Sequence, residues 1–142
     1  MTFPIVLHHN PACGTSRKVM SIIRAAGYEP VVIDYLATGW TRPQLQALFA
    51  AAGLTAHEAL RRVRSPAVEL GLTAPDVTED QLLDAMVAHP VLVHRPIVCS
   101  PRGVRLCRPP EAVLDLLDQL PPGPWASEDG TLLIDAEGNR VV

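Results

Sequence analysis

The chain has 142 residues, the size of one ordinary domain, and 48% of them are hydrophobic while 19% are charged. This composition excludes a disordered chain, a coiled coil and a collagen-like fibre. The formal net charge of −3 gives no basic field, which argues against a nucleic-acid-binding protein. We also expect no membrane span, because no apolar run is long enough to cross a bilayer. We expect a cytoplasmic location, because the three cysteines form no disulfide framework. Nothing in the sequence requires more than a monomer.

The first predicted elements form a β-α-β unit. An apolar stretch over 4–8 predicts a strand, and turn residues over 10–15 follow it. A helix comes next, and its apolar positions at i, i+3, i+4 and i+7 are Val19, Ile22, Ile23 and Ala26. Gly27 ends this helix, and the β-branched run 31–36 predicts a second strand, parallel to the first. These elements predict an α/β fold.

A helical block is predicted over 41–89. Three threonines are each followed three residues later by Gln or Glu, a spacing that is typical of a capping box at a helix start. The pairs are Thr41 with Gln44, Thr55 with Glu58, and Thr78 with Gln81. We expect the first helix to end at Gly53 and the second to run through Arg62.

The chain then returns to strands. A β-hairpin is predicted over 96–107 with its turn at 101–103, and a helix after Pro109 buries Val113, Leu114 and Leu117. We therefore expect a mixed sheet in the order β-α-β, helices, β-β-α, within a domain over 1–118. Residues 119–142 are predicted to form an extended C-terminal tail that packs on this domain through its apolar residues.

Cys13 is the first candidate for chemistry. It lies between a strand and a helix, where free backbone N–H groups and the helix dipole stabilise a thiolate. The same N–H groups, over Gly14 to Ser16, would receive an oxyanion beside the sulfur, and Gly14 permits a close approach because it has no Cβ. The alternative is a buried cysteine without reactivity.

Three cysteine chemistries can be compared with this loop. A low-molecular-weight phosphatase needs Cys-x5-Arg, and Val19 occupies the arginine position. A dithiol oxidoreductase needs a second cysteine where Ser16 stands, so a one-thiol mechanism with an external thiol is favoured. A Cys-His dyad stays open, because any of the five histidines could approach Cys13 in the fold.

Eleven of the twelve basic residues are arginines, whose planar guanidinium groups bind tetrahedral oxyanions in a bidentate way. Arg61, Arg95 and Arg108 lie near the ends of predicted elements and are candidate oxyanion ligands, although for each taken alone a surface position is the favoured interpretation. The histidines and cysteines lack the close spacing of metal ligands, and the glycines form no nucleotide-binding loop. We therefore expect neither a metal nor a bound cofactor.

Three further side chains have two interpretations each. His9 comes just before the candidate loop and either hydrogen-bonds the thiolate, orients the loop or is a neutral surface imidazole. Cys99 and Cys107 fall on predicted strands beside large apolar residues, where a buried structural role is favoured.

The string from His9 to Arg17, HNPACGTSR, closely resembles the active loop of the glutaredoxin-coupled arsenate reductases, the ArsC family. Three further blocks resemble the family's segments in the same order: ALRR over 59–62, HRPIV over 94–98 and GVRLCRP over 103–109. The resemblance runs from about Ile5 to Leu117.

The resemblance implies a thioredoxin-like fold with an enlarged helical insertion. It implies that Cys13 is a nucleophile, that Arg61, Arg95 and Arg108 bind the oxyanion, and that the Arg95–Pro96 bond is cis. The substrate would be arsenate, with glutathione as co-substrate and glutaredoxin as partner protein. The Cys13 thiolate would attack arsenic, glutathione would reduce the adduct, and glutaredoxin would resolve it with release of arsenite.

Two alternatives accompany this resemblance. An Spx-like regulator has the same fold, binds RNA polymerase and senses redox state, but such proteins usually carry Cys-x-x-Cys where this chain has Ser16. An ArsC-like thiol protein with another substrate would lack one or more of the three arginines. In this chain all three matching positions are arginine. The chain departs from the family pattern at Cys99, which leaves an internal disulfide open, and at Arg62 and Arg64, which make their segment unusually basic.

Overall fold

The computed structural model describes residues 4–142, which form two compact units. The first unit comprises residues 4–34 and 95–142, and the second comprises residues 35–94. The predicted C-terminal tail therefore belongs to the first unit. Among residues 4–142, none of the helices combines the length and the apolar character that crossing a bilayer requires.

The first unit contains a four-stranded mixed sheet. Its regular elements are β1 (Val6–His9), α1 (Gly14–Ala25), β2 (Val31–Asp34), β3 (Ile97–Ser100), β4 (Gly103–Leu106), a 3₁₀ helix (Pro110–Leu116), β5 (Trp125–Ala126) and β6 (Leu132–Ile134). The strand order is β2-β1-β3-β4, with β1 parallel to β2 and β3 antiparallel to both β1 and β4. The predicted β-α-β unit and the predicted hairpin are both confirmed.

One face of this sheet packs on α1 and on the 3₁₀ helix. The predicted helix stripe is confirmed, because Val19, Ile22 and Ile23 are completely buried. The helix ends as its sequence predicts: Gly27 has a φ of 96°, and the N–H of Tyr28 donates to the Ile23 carbonyl at 3.2 Å. Burying these apolar surfaces provides the main stabilisation of the unit.

The C-terminal segment contributes to the same core. Its two short strands β5 and β6 pair with each other antiparallel, and Leu133 and Ile134 are buried with the residues of the sheet and of α1. Turns at Gly130 and Gly138 have positive φ angles of 88° and 85°, which glycine adopts at little cost.

The second unit is helical. Its elements are α2 (Tyr35–Thr38), α3 (Arg42–Ala52), α4 (Ala56–Ala59), α5 (Glu79–Ala88) and a 3₁₀ helix (Pro90–Leu92). All three predicted capping boxes are formed, at the starts of α3, α4 and α5. Gly53 ends α3 with a φ of 69°, as predicted.

The second predicted strand was too long. The β-branched run 31–36 suggested extended backbone to its end, but β2 stops at Asp34 and Tyr35 begins a helical turn. Tyr35 is buried, and its ring stacks on that of Trp40 with a centroid distance of 5.0 Å. This tertiary contact favours the turn over the local strand propensity.

The helix predicted through Arg62 ends earlier, at Ala59. Leu60 adopts extended backbone and forms a bridge with Val93, and the N–H of Arg61 donates to the Leu92 carbonyl at 2.7 Å. Turns without an α-helix occupy residues 61–77, so the predicted helical block is interrupted. In the first unit, the helix predicted after Pro109 is a 3₁₀ helix.

Candidate active site

Three segments of the first unit meet at one end of its sheet. β1 runs into the loop that carries Cys13, and β3 is antiparallel to β1, so the beginning of β3 lies at this end. β4 is antiparallel to β3, so its last residue lies there too. Arg95 comes just before β3 and Arg108 just after β4. Residues far apart in sequence are therefore brought to Cys13 by strand pairing alone.

Hydrogen bonds within the Cys13 loop hold its shape. Asn10 is buried, its Oδ1 accepts from the Ala12 N–H at 3.0 Å, and its carbonyl accepts from the Cys13 N–H at 3.0 Å. Cys13 is the N-cap residue of α1, with extended backbone at φ −94° and ψ 122°. The sulfur consequently lies beside the first N–H groups of the helix, which have no partners within it.

The surroundings of Cys13 favour its thiolate. Burial by itself raises the pKa of this thiol, since only 7% of the residue is exposed. Hydrogen bonds from the backbone N–H groups of Ser16 and Thr15, together with the charge and hydrogen bonding of Arg95, lower it. The lowering effects prevail, and the pKa of Cys13 lies below its ordinary value.

Two of the three predicted arginines are at this cysteine. Arg108 Nη1 lies 4.0 Å from Cys13 Sγ and donates to the Arg95 carbonyl at 3.2 Å. Arg95 acts on the Cys13 sulfur both by charge and by hydrogen bonding. The Arg95–Pro96 bond is cis, as the resemblance implies. A sulfur with two guanidinium groups beside it is suited to attack an anionic substrate.

His9 is connected to the loop through Ser16. Its Nδ1 lies 2.7 Å from Ser16 Oγ, which also accepts from the Asn10 N–H at 3.1 Å. Burial is the first cause of a lowered His9 pKa, followed by Asp34, which raises it, and by Arg17 and Arg24, which lower it. The neutral imidazole is therefore favoured, and its Nδ1 shares a hydrogen bond with the Ser16 hydroxyl. Of the interpretations offered for His9, this geometry supports orientation of the loop.

Arg61 belongs to the second unit. It is 8% exposed and lies directly after the bridge that ends α4. Its Nε donates to the Val63 carbonyl at 3.0 Å, and its own carbonyl accepts from Ser65 Oγ. Arg64, in the same turn, has a φ of 57°, a left-handed conformation that costs a non-glycine residue about 1–2 kcal/mol. The predicted role of Arg61 as a ligand of the oxyanion stays a prediction.

The other two cysteines, Cys99 and Cys107, are free thiols whose pKa values are raised, whereas that of Cys13 is lowered. Burial raises the pKa of Cys107 to about 12, although the charge of Arg105 lowers it. Burial also raises the pKa of Cys99, which is half-buried on β3. Neither is suited to act as a thiolate at neutral pH. Residues 4–142 contain no group of three or more His, Cys, Asp or Glu side chains that could hold a metal ion.

Sequence reasoning missed two parts of this site. Asn10 was treated as a turn residue, whereas its buried side chain accepts a hydrogen bond from the Ala12 N–H and so organises the loop. Asn side chains commonly bond the backbone two residues further on in this way. The C-terminal segment also reaches α1, through an ion pair of 3.1 Å between Lys18 and Asp129. Their 111-residue separation gives no local signal from which this contact could be predicted.

Gly14 offers a test of close approach by an anion. Apart from its chain neighbours, a Cβ built here would meet, among the described residues, Arg17 Nη2 alone, at an ordinary 3.8 Å. Gly14→Ala should therefore fold normally, since alanine also suits a helix better. We expect the KM for the oxyanion substrate that the resemblance implies to rise roughly two- to tenfold, equivalent to the loss of one hydrogen bond. A changed melting temperature with an unchanged KM would contradict this view of Gly14.

The sheet order, the cis Arg95–Pro96 bond and the cysteine at the start of a helix define a thioredoxin-like protein with one activated thiol. The ArsC family model matches residues 8–116. This chain therefore belongs to the ArsC family, as its motifs predicted.

Relatives of this chain agree with that assignment. It is 64% identical over 137 residues to arsenate reductase ArsI2 of Synechocystis sp., an alignment that covers 96% of this chain and 98% of the relative. It is 49% identical to an arsenate reductase of Rhizobium meliloti, covering 97% and 99% of the two chains. Among solved structures, the arsenate reductase from Vibrio cholerae matches with a TM-score of 0.78 and 35% identity, covering 82% of this chain and all of the other.

Proposed function

We propose that this protein is an arsenate reductase in which Cys13 is the nucleophile. The observation that carries the proposal is the position of Cys13, whose pKa is lowered and whose sulfur lies 4.0 Å from the Arg108 guanidinium, with Arg95 on the same sulfur. Arsenate is a tetrahedral oxyanion, the kind of ligand that guanidinium groups and helix N–H groups bind. The names of the relatives support the same substrate.

The first step joins sulfur to arsenic. The Cys13 thiolate attacks arsenate, an S–As bond forms, and one As–O bond breaks so that hydroxide leaves and is protonated to water. Arsenic stays pentavalent in this step. Arg95 and Arg108 offset the negative charge of the oxyanion, and the N–H groups of Gly14 to Ser16 receive its oxygens. His9 acts as a positioning residue, because it holds Ser16 and so the start of α1.

The second stage reduces arsenic with two external thiols. Glutathione displaces another hydroxyl, which leaves as water, and its sulfur bonds arsenic. A glutaredoxin thiolate then attacks the glutathione sulfur, a glutathione–glutaredoxin disulfide forms, and the electron pair of the broken As–S bond stays on arsenic, which becomes trivalent. Water displaces the Cys13 thiolate and arsenite is released. The two electrons gained by arsenic equal those lost by the two sulfurs.

Ser16 is the reason that the second thiol is external. A resolving cysteine in a Cys-x-x-Cys loop would occupy this position, and Ser16 instead hydrogen-bonds His9 and Asn10 while completely buried. Cys99 and Cys107 have raised pKa values, caused first by burial, which makes them poor internal reductants. The proposal extends to Arg61, which the family resemblance assigns as a third arginine for the oxyanion.

A coupled assay tests the function. The purified chain is mixed with arsenate, glutathione, glutaredoxin, glutathione reductase and NADPH, and NADPH consumption is followed at 340 nm. We expect consumption that depends on arsenate, on glutathione and on glutaredoxin. A redox-sensing regulator of the Spx type would give no arsenate-dependent consumption, and that result would refute the proposal. Omitting glutaredoxin alone tests the partner separately from the substrate.

A further inference from the structure

A pocket of about 720 Å³ adjoins the Cys13 loop within the first unit. Pro11 and Gly14 of the loop contribute to its lining, which places the pocket next to the cysteine. Arg17 and Lys18 of α1 form one wall, and Glu128 and Asp129 of the C-terminal segment contribute to another. Cavities of about 300–1,000 Å³ are typical of small-molecule sites.

The C-terminal wall is held in a fixed shape. Asp129 Oδ2 accepts from Lys18 Nζ at 3.1 Å, and its Oδ1 accepts from Ser127 Oγ at 2.5 Å and from the Thr131 N–H at 3.0 Å. The Ser127 hydrogen bond is the largest of the effects that hold the Asp129 pKa well below its usual range. Lys18, the one lysine of the chain, lies on α1. Its ion pair with Asp129 therefore anchors this wall to the helix whose N-cap residue is Cys13.

The two walls carry opposite charges. Lys18 and Asp129 form an ion pair with each other where the two walls meet. Arg17 lies on the helix wall, with its Nη1 donating to the Pro11 carbonyl at 2.8 Å, and Glu128 lies exposed on the C-terminal wall. A guanidinium on one wall and a carboxylate on another complement a ligand that carries both a carboxylate and an ammonium group.

We propose that this pocket binds the zwitterionic peptide thiol that reduces Cys13-bound arsenic, with a carboxylate at Arg17 and the α-ammonium at Glu128. The inference rests on the proposed function, which requires such a thiol to reach arsenic at Cys13. Pro11 and Gly14 line the pocket, so a thiol held there lies beside the loop that carries the adduct. Binding at this place would orient the thiol before it reacts and so increase its effective concentration.

The binding test uses S-methylglutathione, which cannot react with arsenic, and isothermal titration calorimetry on the full chain. We expect Glu128→Gln to weaken binding about two- to fivefold, while the exposed Glu137→Gln, in the same C-terminal segment, serves as the matched control and leaves it unchanged. A ligand that lacks the α-ammonium should bind the original protein as weakly as S-methylglutathione binds the variant. The affinity of that ligand should be the same for Glu128→Gln as for the original protein.

Steady-state kinetics distinguish this inference from the proposed function. With Glu128→Gln, the KM for glutathione should rise while the KM for arsenate stays unchanged. If arsenate turnover is normal but both the calorimetry and the glutathione KM are unaffected, the pocket assignment is wrong and the proposed function stands. If arsenate turnover is absent in the original protein, the proposed function is wrong. A rise in the KM for glutaredoxin alone would assign this surface to the partner protein and overturn the inference.

Discussion

Replacing Cys13 by serine should abolish arsenate-dependent NADPH consumption, with a loss of at least about a thousandfold. A serine hydroxyl stays protonated at neutral pH, so neither the N–H groups of α1 nor Arg95 has a thiolate to stabilise. It also cannot form the S–As bond that the proposed mechanism requires. Intact-protein mass spectrometry after arsenate treatment provides a second measurement, because the covalent adduct should form with the original chain and be missing from the variant.

The matched control is Cys107→Ser, in the same unit. This thiol is fully buried and contacts the Arg105 carbonyl at 3.8 Å, an acceptor that a serine hydroxyl can also use. Burial raises the pKa of Cys107 to about 12, so it has no thiolate to contribute. We expect the control to retain most of the turnover, with a melting temperature lowered by burial of a polar group. Equal losses in Cys13→Ser and Cys107→Ser would show that the one-thiol scheme is wrong.

The parts of the fold that depend on local signals could be predicted from the sequence. The three capping boxes form because each threonine and its partner lie within one helical turn, and Gly27 ends α1 because its positive φ suits glycine. The boundaries that failed depend on distant contacts. Helix α4 stops before Arg61 because residues 60–61 hydrogen-bond 92–93, more than thirty residues away.

The same division holds at the candidate site. Cys13 could be found because a cysteine between a strand and a helix has a local environment that favours its thiolate. The approach of Arg108 to Cys13 depends on the pairing of three strands, and spacing along the chain gives no information about it. The family motif supplied that assignment. The anchoring of the C-terminal segment on Lys18 has neither a local pattern nor a motif, so only the fold shows it.

Replacing Arg95 by glutamine should raise the pKa of Cys13 and lower kcat/KM for arsenate about ten- to a hundredfold, equivalent to losing one charge-assisted contact of about 1.5–3 kcal/mol. Burial raises the pKa of this thiol, and Arg95 is one of the groups that oppose it by charge and hydrogen bonding. Without that guanidinium, thiolate formation should require a higher pH. The half-buried position of Arg95 keeps its charge from being fully screened by solvent.

The rate of iodoacetamide alkylation measured against pH follows the thiolate of Cys13. In the original chain the rate should rise through a midpoint below the ordinary cysteine pKa, and in Arg95→Gln that midpoint should move to higher pH. Arg102→Gln is the control, because this exposed arginine donates to the Leu117 carbonyl at 2.9 Å and should leave the midpoint where it was. If Arg95→Gln slows turnover but does not move the midpoint, Arg95 binds the oxyanion without activating the thiol. If neither quantity changes, its assignment to the site is wrong.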